Sequence, residues 1–176
     1  MNRIYLASYV LLLFVNVASC SGGKSFNTCY DRNGDDTFDI ISLNEYFDGE
    51  GAIVPSEYDP PLLFEDNPER FTPSKNHVIR VEKLFSSRYD SLSSNREMSH
   101  ELESFSEYNR QYIGYINSNG DSSVVMLVMG HKASGADEYL EGWKCDVVVG
   151  SGPFFEQHHW MFEANLSKGQ LDLFWL

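Results

Sequence analysis

The chain predicts an α+β domain, with one main helix packed on a curved antiparallel sheet of four to five strands and an irregular acidic segment in front. Three observations carry this expectation. Apolar residues recur at helical spacing in one long stretch, the period becomes strand-like from Arg110 onward, and Gly- and Asn-rich turn signals cut that later part into short runs. Strands gathered after a helix bury their apolar side by taking the helix as a cover for one sheet face.

The helix comes first. Thr72-Pro73 reads as a cap followed by proline in the first turn, and Val78, Val81, Leu84 and Phe85 then fall on one face, which predicts a helix over 73–89. A weaker helical pattern, with Leu102 and Phe105, lies within 99–108 and reads alternatively as the lead-in to a strand. Residues 111–117 are rich in Tyr and Ile, Ser118-Asn119-Gly120-Asp121 supplies turn chemistry, and 123–129 is a dense Val, Leu and Met run, so the two runs make a hairpin. A third strand is expected over 142–149, a turn at Gly150-Ser151-Gly152-Pro153, a fourth strand over 154–166, and a last one over 170–176 after Ser167-Lys168-Gly169. Ahead of the helix, residues 31–70 read as mostly irregular, punctuated by Asp59-Pro60-Pro61 and Asn67-Pro68. This order of elements is similar to that of cystatin-like and NTF2-like folds, a likeness of architecture that carries no function.

The N-terminus reads as an export signal. A positive start at Met1 and Arg3 precedes an apolar run over 4–15 and the small-residue ending Val17-Ala18-Ser19-Cys20. The run is shorter than the roughly 20 residues a helix needs to cross a hydrocarbon core. Val17-Ala18-Ser19-Cys20 resembles the lipobox of bacterial lipoproteins, although Val stands where Leu is commonest. The resemblance implies cleavage before Cys20 and acylation of that cysteine, palmitate-type chains included, and several chains on one residue suffice for stable anchoring; the residues alone also fit ordinary cleavage after Ser19 or Cys20 that releases a soluble protein. The chain then divides into a signal (1–19), a lipidated cysteine and flexible tether (20–30), the acidic segment (31–70) and the α+β domain (71–176). The expected location is the bacterial cell envelope, on a membrane and facing the periplasm or exterior.

Charge narrows the partners. Loss of Arg3 with the signal takes the net charge from -13 to -14, which opposes nucleic acid and anionic lipid alike. Of the three cysteines, Cys29 and Cys145 remain beside the lipidation candidate. They can form a disulfide in an oxidising compartment or stand as two thiols, and spacing leaves both readings open.

Phe71-Thr72-Pro73, then Val81-Glu82-Lys83-Leu84, then the run from Tyr108 through Arg110, Gln111, Tyr112 and Gly114 to Asn117 resemble a set of uncharacterised small bacterial secreted proteins and lipoproteins. Trp143 and the Gly150-Ser151-Gly152 to Phe155 stretch continue the likeness. It covers roughly the last hundred residues and implies the fold and the compartment, with no activity attached.

Several motifs bear on chemistry. Asp31, Asn33, Asp35, Thr37 and Asp39 stand at ligand positions of an EF-hand-type or dockerin-type loop, but Asp36 replaces the turn glycine and Ser42 the closing acid. Weak calcium binding and a solvated Asx-rich turn both fit these residues. His131, His158 and His159 are candidate metal ligands, except that neighbours on a strand face opposite ways, so His158 and His159 would not share an ion. Gly150-Ser151-Gly152 lacks the frame of a nucleophile elbow. Tyr112, Tyr115, Trp143, Phe154, Phe155, Trp160, Phe162, Phe174 and Trp175 either fill the core or line a binding face. With no positioned nucleophile, base or phosphate loop in view, the expected function is a non-catalytic domain that binds a protein or envelope component; the alternative is a hydrolase whose site is assembled from distant residues. The expected cofactor is none, or weakly held calcium.

Overall fold

The computed structural model describes residues 38–42, 44, 46, 49–60, 63–64, 66–93 and 107–174. It is a mixed α+β domain built on one open, curved sheet of seven strands. The strands are β1 (Asp39–Ser42), β2 (Glu50–Val54), β3 (Arg70–Phe71), β4 (Tyr108–Ile116), β5 (Ser122–Gly130), β6 (His159–Asn165) and β7 (Gln170–Leu173). The helices are α1 (Lys75–Ser93), α2 (Ala136–Tyr139) and α3 (Pro153–His158).

Along the sheet the order is β1-β2-β4-β5-β6-β7, with β3 paired to β4 beyond the end of β2. The expected hairpin is the spine. β4 and β5 pair antiparallel over their full nine residues, from Tyr108 opposite Gly130 to Ile116 opposite Ser122. Its turn is held by Asn117, whose Oδ1 accepts from the backbone N–H of Asn119 and of Asp121, each at 3.0 Å, an Asx-type arrangement.

Three expectations about strands need correction. The acidic front is not wholly irregular: it supplies β1, β2 and β3, and β2 runs parallel to β4, with Gly51 opposite Arg110 and Val54 opposite Ile113. A strand as short as Glu50–Val54 carries little periodicity of its own, and its partner lies about sixty residues away. Residues 142–149 form no strand. The neighbours Val147 and Val148 are both buried, which defeats strand alternation. The fourth strand begins at His159 because Pro153, in the first turn of α3, starts a short helix first.

Helix α1 runs from Lys75 to Ser93, close to the span expected, but Ser74 caps it. The His77 N–H donates to Ser74 Oγ and the Ser74 N–H donates back to His77 Nδ1, both at 3.3 Å, a reciprocal cap with histidine where Glu or Gln is usual. Thr72 does not cap, because its hydroxyl is taken up by Ser56.

Both faces of the sheet are covered. On one, α1 lays Val78, Val81 and Phe85 onto Tyr112, Val124, Met126 and Phe162. On the other, Leu63, Ala136, Leu140, Trp143, Val147, Val148 and Phe154 pack over Ile113, Val125, Leu127 and Met129. One backbone approach is very close: a Cβ at Gly114 would stand 2.4 Å from the Phe71 carbonyl oxygen. Glycine there lets β3 lie against β4.

Candidate functional site

Two buried polar networks radiate from β4. Toward α1, Arg110 Nε lies 2.9 Å from Glu82 Oε1, with both side chains fully buried. Tyr112 Oη donates to the same Glu82 oxygen at 2.7 Å, and Arg110 Nη1 donates to the Tyr108 carbonyl at 2.8 Å. The guanidinium also sits 5.8 Å from the centre of the Phe85 ring. Burial pushes the Glu82 carboxyl above its ordinary range, against the opposing pull of Arg110 and Tyr112. The Tyr112 hydroxyl is pushed up strongly, by burial first and then by the Glu82 charge. An ion pair sealed in this way ties α1 to the middle of the sheet.

Toward the other face, the buried Gln111 side chain clamps the segment after α2. Its Nε2 donates to the carbonyls of Trp143 (2.5 Å) and Asp146 (2.7 Å), and its Oε1 accepts from the Val148 N–H at 3.0 Å. Tyr58 adds a second tie, its hydroxyl bonded to the Asp146 carboxylate and accepting from the Val147 N–H at 3.3 Å. One amide thus satisfies three backbone groups that have no neighbouring strand.

The residues of the Tyr108-to-Asn117 run therefore have separate mechanical tasks. Tyr108 and Tyr112 fill the core, Arg110 pairs with Glu82, Gln111 clamps residues 143–148, Gly114 admits β3, and Asn117 shapes the turn.

The histidines gather at one end of the sheet. Met129 pairs with His159, so His131 leaves β5 at the end where α3 enters β6. His158 closes α3 and His159 opens β6, so the pair does not share a strand as expected. His158 is half-buried against Phe154, and His159 is buried against Phe155. Burial drives the His159 ring from 6.5 down to about 4, with the Val148 backbone acting weakly the other way. Among the described residues no group of three or more His, Cys, Asp or Glu is placed to hold a metal ion.

Of the aromatics singled out in the sequence, Tyr112, Tyr115, Trp143, Phe154, Trp160 and Phe162 are buried, and Phe155 and Phe174 are half-buried. They are core on one face or the other, and Trp175 lies outside the described residues. Among the described residues the exposed aromatic ring is Tyr139, at 48 %. It stacks on Phe154 at 4.6 Å between centroids, 17° apart, and meets Phe155 edge-on at 5.8 Å. Phe155 in turn lies against the backbone of Gly150, where a Cβ would stand 2.4 Å from the ring. Sequence reasoning passed over Tyr139. Its signal was a lone aromatic in the acidic stretch Asp137-Glu138-Tyr139-Leu140-Glu141, where only Leu140 turns into the core.

The remaining sequence candidates divide by location. Cys20, Cys29, Asp31, Asn33, Asp35 and Thr37 lie outside the described residues. Asp39 is exposed in β1. Ser42, at the closing position of the expected calcium loop, donates its hydroxyl to Asn44 Oδ1 at 2.6 Å. Cys145 is disulfide-bonded.

These features define a two-faced α+β domain whose buried polar groups fasten its layers and whose exposed ring among the described residues, Tyr139, belongs to an aromatic cluster at the histidine end. Neither a protein-family model, nor a characterised protein, nor a solved structure matches the chain.

Proposed function

We propose that the mature chain is a lipid-anchored domain of the bacterial envelope that works by contact with a protein or envelope component rather than by catalysis. The observation that carries this reading is the N-terminal order of positive start, apolar run and small-residue ending at Cys20. Two features support it. The disulfide at Cys145 suits an oxidising compartment. The buried Glu82, Arg110, Tyr112 and Gln111 are all engaged in fastening the fold, and a covered sheet leaves contact to its loops and edges. No described helix is long and apolar enough to cross a membrane; in this reading the acyl chains on Cys20 supply the attachment.

Cys20→Ser tests the proposal. The wild-type protein should follow the detergent phase and the membrane fraction, and the variant should move to the aqueous phase. Equal partition of the two would overturn the anchor.

A further inference from the structure

Residues 142–152 cross the second face of the sheet as a strap. Glycines with positive φ stand at its two ends, Gly142 at 77° and Gly152 at 102°, and such positions absorb backbone rotation at little steric cost. Between them Trp143, Val147 and Val148 pack onto the sheet. The strap joins none of the strand pairs among the described residues. Side chains hold it instead, chiefly Gln111 with three bonds and Tyr58 with two. A segment fastened in this way opens at lower cost than the strands beneath it.

His159 is buried beside the strap and is coupled to it twice. Its ring lies 5.7 Å from that of Phe155, edge-on at 80°, and Phe155 presses on the backbone of Gly150. The backbone of Val148, whose N–H is held by Gln111, acts directly on the imidazole. His159 Nε2 is buried with no hydrogen-bond partner among the described residues. Imidazolium donates from both nitrogens, so in this place it would be a buried charge with one N–H unsatisfied.

The neighbouring elements bring other titratable groups: Glu156 and His158 on α3, His131 and Lys132 after β5, Lys144 and Asp146 in the strap, and Glu163 along β6. Lys144 is turned to Glu50, Lys132 to Glu107 and Asp146 to Tyr58. Burial and the Val148 backbone are the influences on the His159 ring, with no charged side chain among them.

We propose that residues 142–152 are an acid-released strap with His159 as its trigger: protonation of the ring lifts the strap from the sheet while the β4–β5 hairpin stays paired. Lifting lets the charged ring meet water and uncovers apolar side chains of β4 and β5. The device does not depend on how the chain is attached to a membrane.

Hydrogen exchange of the full-length protein in non-ionic detergent tests it, with rates corrected for the intrinsic effect of pH. The Val147 and Val148 amides should be less protected than those of the β4–β5 hairpin, and low urea should hardly alter their exchange while it speeds that of the hairpin. Their opening should rise about tenfold per pH unit as pH falls from 6.5 toward about 4, since the ring is held between those values in its neutral form. His159→Gln should abolish that rise, and His158→Gln should leave it intact. Equal protection and equal urea dependence of strap and hairpin in the wild type overturn the proposal without any variant, because the strap would then open only on global unfolding. An undiminished rise in His159→Gln, or its loss in His158→Gln as well, also overturns it. Cys20→Ser should match the wild type throughout, so failure of the anchor and failure of the strap are separable.

Discussion

At the scale of single residues, the fold depends on charges and polar groups placed where water cannot reach them. Arg110 and Glu82 are the clearest case, a fully buried pair 2.9 Å apart. Such a pair gains little over apolar packing, yet removing one member strands the other. Arg110→Met should therefore lower stability by about 3–5 kcal/mol in urea unfolding, while Arg110→Met combined with Glu82→Leu should regain most of it. A double variant as unstable as the single one would remove the stranded-charge explanation. His159 makes a second prediction, about pH. Its folded pKa is lowered to about 4 from 6.5, so between those values the unfolded chain takes up a proton that the folded one refuses. Its contribution is fully present above about pH 6.5 and is lost as pH falls toward 4, about 3 kcal/mol in all. His159→Gln should flatten the stability profile across that window, and an unchanged slope would assign the acid sensitivity to other groups.

Elements show where local pattern was enough and where it was not. The β4–β5 hairpin and α1 are nine residues or longer, and length allows a period to declare itself. Residues 142–149 have the composition of a strand but form a cover over the sheet, because Gln111 satisfies their backbone in place of a neighbouring strand. The front segment raises the reverse problem, since β1 grows directly out of the Asp31-to-Ser42 pattern. We propose that Asp31, Asn33, Asp35, Thr37 and Asp39 hold calcium weakly, at the millimolar affinity of extracellular modules that lack a strong closing acid. Thermal unfolding in about 10 mM calcium should then show a gain of about 1 kcal/mol over chelator, or about 3 °C. A melting temperature indifferent to calcium leaves the Asx-rich turn in its place.

For the whole molecule, the disulfide at Cys145 links distant parts of the chain. Cys20 and Cys29 are the only other cysteines, and with Cys20 acylated we propose Cys29 as the partner. The Phe38 N–H already donates to the Lys144 carbonyl at 2.8 Å, which holds Phe38, nine positions after Cys29 in the sequence, beside the residue that precedes Cys145. A bridge closing more than a hundred residues should stabilise by about 4–5 kcal/mol in the entropic model. Cys29→Ser and Cys145→Ser should lose that amount equally, and each should free one thiol in peptide maps made without reductant. Loss on Cys145→Ser alone would rule out this pairing.

The sequence by itself determined what depends on neighbours along the chain: the α+β class, the helix at Val78 to Phe85 and the hairpin about Asn117 to Asp121. For the aromatics it left core and binding face both open, and burial of the described ones was settled by the two covered faces of the sheet. Tertiary structure decided what depends on residues far apart. The parallel seat of β2 beside β4, the Glu82–Arg110–Tyr112 network and the three-way clamp of Gln111 each join segments dozens of residues from one another, and no local period encodes such a meeting. Tyr139 is exposed for the same reason. Phe154, buried, and Phe155, half-buried, arrive against it from another helix, leaving the Tyr139 ring at the surface.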